Sequence, residues 1–382
     1  MPSVRSSTST SRLALFALAG AVALLLVLEL LLRLFPVASA THAGYYVAPR
    51  ILTYPPGHRF TIATGWDLRN AHTHTANNFG FLARHDFVRN PDAVALIGDS
   101  FIEANMLAPE ARVDAHLESL LGRPVYAMGG PGSSLLDYAE RVRFAVERFA
   151  IHDFVLVIER YDVPQTLCGS NNVHGPCVDP RTLRPRTELM PRAGALKSLM
   201  RKSALAQYLF SQLRFDPARV VANLRATVDA ADATPRLRSK PRPTDRRQQT
   251  EAVIDAFLAA LPRDDGIRYT LLFDADRKAL ANGDRPTEPG RARLMARCRE
   301  AGLTVVDLAP VFARHLAASP LALEVGPYDA HWNSLATRLV AEAAHHAMAE
   351  RPAQAGDGPP TAGPQRPPPS PPAPTPLTTP RR

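Results

Sequence analysis

Apolar positions along the chain change character three times. Residues 13–35, LALFALAGAVALLLVLELLLRLF, run apolar without a break apart from Glu29 and Arg33 near the far end. As a helix at 1.5 Å per residue this run is about 34 Å long, enough to cross a bilayer with some tilt. Residues 36–90 mix Tyr, Pro, Gly and His with little period and predict an irregular lead-in. Five short runs follow: 94–98 (VALIG), 125–128 (VYAM), 154–159 (FVLVIE), 269–274 (YTLLFD) and 304–308 (TVVDL). Their continuous apolar character predicts strands covered on both faces. Amphipathic stretches at 109–121, 133–150, 246–262, 288–301 and 334–349 predict helices between them. Strands alternating with helices imply right-handed βαβ units and a parallel sheet, an α/β domain over residues 91–350.

One connection breaks the rhythm. More than a hundred residues separate Glu159 from Tyr269, where about a dozen suffice for a crossover. This predicts an insertion at about 163–265, with helices near 194–213 and 216–230, and a loop of that length is functional or a small subdomain. From residue 351 to 382 the chain is rich in Pro and nearly free of bulky apolar side chains. It cannot bury enough surface to fold and predicts a disordered, partly polyproline II tail.

Composition narrows the class. Hydrophobic residues are 46%, ample for a core that needs no staples. The net charge is +9, yet residues 181–250 hold 16 Lys and Arg against 5 Asp and Glu. The basicity therefore belongs to the insertion. It reads as a solvated surface, or as one for anionic lipid headgroups or an acidic glycan. No zinc-finger, homeodomain or RNP-type signature accompanies it, and no nucleic-acid partner is expected.

Arg5 and Arg12 precede the apolar run without any acid. Residues 1–12 are thus expected in the cytoplasm, residues 13–35 in the inner membrane, and the body outside, facing the periplasm or exterior. Ala38-Ser39-Ala40 offers a signal-peptidase site as the competing reading, but the run is longer than a usual signal core. Either way the body is exported. In an oxidising compartment Cys168 and Cys177, nine apart in a Gly/Pro loop, can pair; two unpaired thiols are the alternative. Cys298, in a predicted helix, reads as a buried structural thiol. Three cysteines exclude a four-cysteine metal site built by one chain.

Three segments carry candidate chemistry. Gly98-Asp99-Ser100 follows the first core strand, where parallel sheets bind ligands. A serine there offers its hydroxyl to a crevice; as a plain helix cap the same residues would be structural. Asp329-Ala330-His331-Trp332-Asn333 precedes the last helix. Asp and His two apart can orient an imidazole that takes a proton from serine, or can serve as turn and packing residues. Gly129-Gly130-Pro131-Gly132-Ser133-Ser134 follows the second strand, and its open amides suit an oxyanion, or only a turn. Among the other histidines, His72 with His74 and His345 with His346 have no obvious acid beside them.

Together, VALIGDSFIEA around Ser100, YAMGGPGSS around Gly132 and YDAHWNSLATRLVAEA around Asp329 and His331 resemble the SGNH/GDSL hydrolase family. Asn78-Phe79-Gly80-Phe81 before the first strand is similar to its membrane-anchored bacterial members. The resemblance covers residues 76–350 apart from the insertion. It implies a flavodoxin-like three-layer α/β/α fold with strand order 2-1-3-4-5. It also implies Ser100 as nucleophile, His331 and Asp329 as its partners, and an oxyanion hole from the Ser100 and Gly132 amides, with no metal or organic cofactor.

One position departs from the family. An asparagine usually follows the third strand, and here Tyr161 stands in its place. Loss of one oxyanion donor costs about 3–4 kcal/mol. Tyr161, Arg160, or Asn171 and Asn172 of the insertion are the candidates to replace it. The resemblance implies an esterase removing an O-acyl, chiefly O-acetyl, group from an extracytoplasmic glycan. An O-acetyltransferase with the same triad and a catalytically weak binding or assembly protein are the alternatives.

Overall fold

The computed structural model describes residues 7–42, 44–68, 70–170, 175–191, 194–216, 243–284, 288–326 and 329–350. Helix α1 (Ser7–Leu32) contains the span Arg12–Leu32, long and apolar enough to cross a membrane. The stretch read as irregular instead carries two antiparallel hairpins, β1 (Tyr45–Ala48) with β2 (Ile51–Thr53) and β3 (Arg59–Ile62) with β4 (His72–Thr75). Strands of three or four residues are too short to show a period in sequence.

The domain begins at β5 (Val94–Gly98), followed by α2 (Ser100–Glu103), α3 (Val113–Leu121), β6 (Val125–Gly129), α4 (Leu135–Phe149) and β7 (Asp153–Ile158). A short α5 (Asp162–Gln165) opens the insertion, which holds the hairpin β8 (Pro176–Val178) and β9 (Pro185–Thr187). Then come α6 (Ala195–Met200), α7 (Ala204–Ala206) and a π-helical turn, Gln207–Gln212. Almost all of the helix expected near 216–230 lies outside the described residues. Helix α8 (Pro243–Ala260) returns to the domain, so the insertion ends before it. The rest is β10 (Arg268–Phe273), α9 (Arg277–Ala281), α10 (Pro289–Glu300), β11 (Thr304–Asp307), α11 (Ala309–Ala318), the hairpin β12 (Glu324–Gly326) and β13 (Asp329–Trp332), and α12 (Ser334–Ala349).

The five long strands form one parallel sheet in the order β6-β5-β7-β10-β11. Counted from β5, this is 2-1-3-4-5, and the fold is a three-layer α/β/α sandwich. Alternate side chains feed two cores. Ala95, Ile97, Leu156 and Phe273 pack with α4, α8 and α10 through residues such as Tyr138, Phe257 and Leu294. Leu96, Val155, Val157 and Leu272 face α3, α11 and α12 through Leu117, Phe312 and Val340. Burial on both faces is why these strands read as unbroken apolar runs.

Register brings the strand ends level. Gly98 pairs with Gly129, Ile97 with Leu156, and Phe273 with both Ile158 and Asp307. The chain leaves β5 toward β6 and crosses back to β7, so the topological switch point lies at the carboxyl end of β5, where crevices form. Buried Arg141 ties the two turns there together. Its guanidinium donates to the Gly98 carbonyl at 2.8 Å, the Met128 carbonyl at 3.1 Å and Ser133 Oγ at 2.5 Å. Gly129 lets α2 pass close by: a Cβ there would lie 2.2 Å from the Glu103 backbone nitrogen.

Candidate active site

Asp99 ends the first strand and caps α2, its Oδ1 accepting from the Phe101 N–H at 2.9 Å. The capping role foreseen for this acid is therefore real, and it leaves Ser100 at the first helical position. The Ser100 hydroxyl lies 2.8 Å from His331 Nε2. His331 Nδ1 lies 2.5 Å from Asp329 Oδ1, which also accepts from the His331 backbone N–H at 3.0 Å. With Nδ1–H donated to the carboxylate, Nε2 is free to accept the serine proton. Residues 231 positions apart thus meet in one hydrogen-bonded line.

The loop bearing His331 is held from beneath. Arg277 Nη1 donates to both oxygens of Asp274, at 2.6 and 2.8 Å, and its Nη2 to the Ala330 carbonyl at 2.6 Å. Asp274 also accepts from Trp332 Nε1 at 3.1 Å. Asn333 caps α12 through Leu335 and Ala336 and donates to the Ala322 and Glu324 carbonyls. The Phe101 ring sits 4.8 Å from the His331 ring and limits its rotation. Sequence reasoning passed over Asp274 and Arg277. The only available signal was a charged pair directly after the β10 run, and charged residues at a strand end are usually solvated.

Burial sets the electrostatics. It opposes the charge of Asp329, but the bond from His331 outweighs it and holds the carboxyl below its usual range. Burial likewise pulls His331 down, yet the Asp329 bond prevails and its pKa is raised. Burial pushes Asp99 up to about 6, with Phe101 N–H and His331 opposing and Asp274 adding repulsion. Glu159, one residue beyond β7, goes to about 8: burial dominates, the Tyr161 N–H opposes, and Asp99 and Asp274 add to it.

A cavity of about 310 Å³ opens over Ser100, walled by Glu159, Arg160, Tyr161, Arg214, Asp274 and His331 among others. Tyr161, in the asparagine position, and its neighbour Arg160 face it but hold each other. The Arg160 guanidinium lies 4.6 Å from the Tyr161 ring and pairs with Asp276, with Glu159 at 3.6 Å and Glu288 at 3.7 Å. Tyr161 is 51% exposed. Gly132, at φ 71°, turns the chain after β6 and does not line this cavity. Asn171 and Asn172 lie outside the described residues. Cys168 and Cys177 form a disulfide, and Cys298 is buried.

No protein-family model matches the chain, and neither does any curated protein. Solved structures similar to it include an acetylxylan esterase from Geobacillus stearothermophilus, a catalytic mutant (12% identity, 68% of this chain, 95% of that one, TM-score 0.34). A member of the lipolytic G-D-S-L family from Veillonella parvula aligns at 12% identity over 68% of this chain and 99% of its own, TM-score 0.33. The catalytic domain of peptidoglycan O-acetyltransferase A from Streptococcus pneumoniae aligns at 11% identity, 68% and 93%, TM-score 0.32. At these values the likeness says nothing of activity, which has to be read from the site itself.

Proposed function

We propose that the protein is a serine esterase of SGNH/GDSL type, held in the inner membrane by residues 13–35, that removes an O-acyl group, chiefly acetyl, from an extracytoplasmic glycan. The observation that carries this reading is the line Asp329–His331–Ser100 at the switch point of the sheet. Ser100 Oγ attacks the ester carbonyl while His331 Nε2 takes its proton, and Asp329 steadies the imidazolium. His331 returns the proton to the leaving alcohol. Water, activated by the same nitrogen, then releases the acid from Ser100. The backbone N–H of Ser100 is assigned to the oxyanion, with Tyr161 or Arg160, which line the cavity, as the further donor; the Gly132 amide expected from the resemblance lies outside that lining.

The uncleaved anchor is favoured by contacts that a cut after Ala40 would remove. Glu29 of α1 accepts from Ser203 Oγ at 2.8 Å and from the Ala204 and Leu205 N–H groups at 3.0 and 2.9 Å. Arg33 donates to the Lys202 carbonyl at 3.2 Å.

The test is hydrolysis of p-nitrophenyl acetate by the full chain in detergent beside Ser100→Ala. Turnover is expected from the wild type and not from the variant. Equal turnover, or none from either folded protein, refutes the esterase. Transfer of the acetyl group to an added glycan in place of release to water identifies an O-acetyltransferase instead.

A further inference from the structure

The insertion carries a second surface that the esterase reading leaves unexplained. Residues 194–215 are stitched to the outer end of α1. Besides the Glu29 and Arg33 bonds, buried Gln212 accepts from the Ala38 N–H at 3.1 Å and donates to the Gly65 carbonyl at 2.8 Å. The stitched segment is unusually apolar on its outside. Leu196 is 72% exposed and Leu199, one turn on, 67%. Phe210, Leu213 and Phe215 are also exposed, and so is Trp66 at 78%, whose carbonyl accepts from Tyr208 Oη. Lys197, Arg201 and Lys202 lie among them. Aromatic and leucine side chains with interleaved cations, joined to a membrane helix at its exit, have the composition of an interfacial segment.

A hollow of about 560 Å³ lies behind this segment. Lys197, Arg201 and Ser211 form one wall, and Asp329 and His331 another. Arg214, held at φ 52°, lines this hollow and the cavity over Ser100 alike. The two spaces therefore share Arg214, Asp329 and His331.

We propose that residues 195–215, with Trp66, form a foot that rests in the anionic headgroup layer of the bilayer crossed by α1. The hollow behind the foot then admits to Ser100 esters carried by membrane amphiphiles. The occupant follows from continuity: Glu29 and Arg33 fix the foot at the end of a membrane-spanning helix, and its cations match anionic lipid. The delivery half of the proposal rests on the esterase reading; the docking half does not.

The experiment uses the full chain in nanodiscs containing phosphatidylglycerol. An environment-sensitive dye is attached to Leu199→Cys and, as control, to Glu147→Cys, an exposed position near the C-terminal end of α4. The native cysteines are bonded or buried. Headgroup spin-labelled lipid is expected to quench the dye at 199 and spare the one at 147. Equal, weak quenching at both positions overturns the docking, as it would if the patch seats another protein.

Delivery is read from Leu196→Glu/Leu199→Glu in the same nanodiscs. Its turnover of an acetylated long-chain glycoside, relative to p-nitrophenyl acetate, is expected to fall roughly tenfold. An unchanged ratio overturns delivery. Wild type inactive on both esters sinks the esterase reading and delivery with it, and leaves the quenching result to decide the docking.

Discussion

Glu159 tests the electrostatics of the cavity most directly. It is 8% exposed, borders the space over Ser100, and its carboxyl is raised from 4.5 to about 8. The sign follows from linkage. Below pH 4.5 the group is protonated folded and unfolded, and it takes nothing from stability. Above that, the unfolded chain loses the proton while the folded one keeps it, so stability falls as pH rises until about 8. At 1.36 kcal/mol per pH unit, the loss at pH 7 is about 3 kcal/mol. Glu159→Gln keeps an acceptor for the Tyr161 N–H and removes the titration. Urea unfolding of the full chain in detergent, followed by tryptophan fluorescence, is expected to show the variant more stable by about 2–3 kcal/mol at pH 7 and equal to wild type near pH 4.5. Groups that do not interact with Glu159 cancel in the difference. Hydrolysis by the wild type should also fall above about pH 8, where an ionised Glu159 repels the oxyanion, and hold in the variant. A stability difference that does not change with pH, or a destabilised variant, refutes a neutral Glu159.

Three further outcomes follow from the contacts. Asp329→Asn should lower kcat/KM about 10²–10⁴-fold. It should also move the acid limb of the pH–rate profile to lower pH, because burial then acts on His331 without the carboxylate that raised it. Arg277→Met strands the buried Asp274 carboxylate and should cost about 3–5 kcal/mol in chemical denaturation. Arg277→Lys should recover part of that stability but less of kcat, since one ammonium cannot hold both Asp274 and the Ala330 carbonyl as the guanidinium does. Gly129→Ala drives a methyl into the α2 backbone and should lower stability by about 1–3 kcal/mol. Its kcat should fall with it, because α2 carries Ser100; an unchanged melting temperature would show that the helix yields freely.

Elements that depend on local pattern were legible in the residues alone. All five sheet strands lie within a residue of their apolar runs, because strands buried on both faces must be apolar throughout. Ser100, Asp329 and His331 could be singled out because the segments around them resemble those of a known family, whereas each segment alone read equally as a turn or cap. Short elements were not legible: α9 and the two N-terminal hairpins add too few residues to show a period. Features that depend on partners distant in sequence emerged with the folded chain. Arg277, Asp274 and Arg141 look like surface charges until burial gives each a specific acceptor or donor. Glu159 looks like an ordinary carboxylate until burial, with repulsion from Asp99 and Asp274 added, raises it. Glu29 looked like a blemish in an apolar helix; more than 170 residues later the chain supplies the amides that it binds. Hydrophobic period is written in neighbouring residues, whereas the protonation and pairing of a buried charge depend on whichever groups the fold brings within a few ångströms.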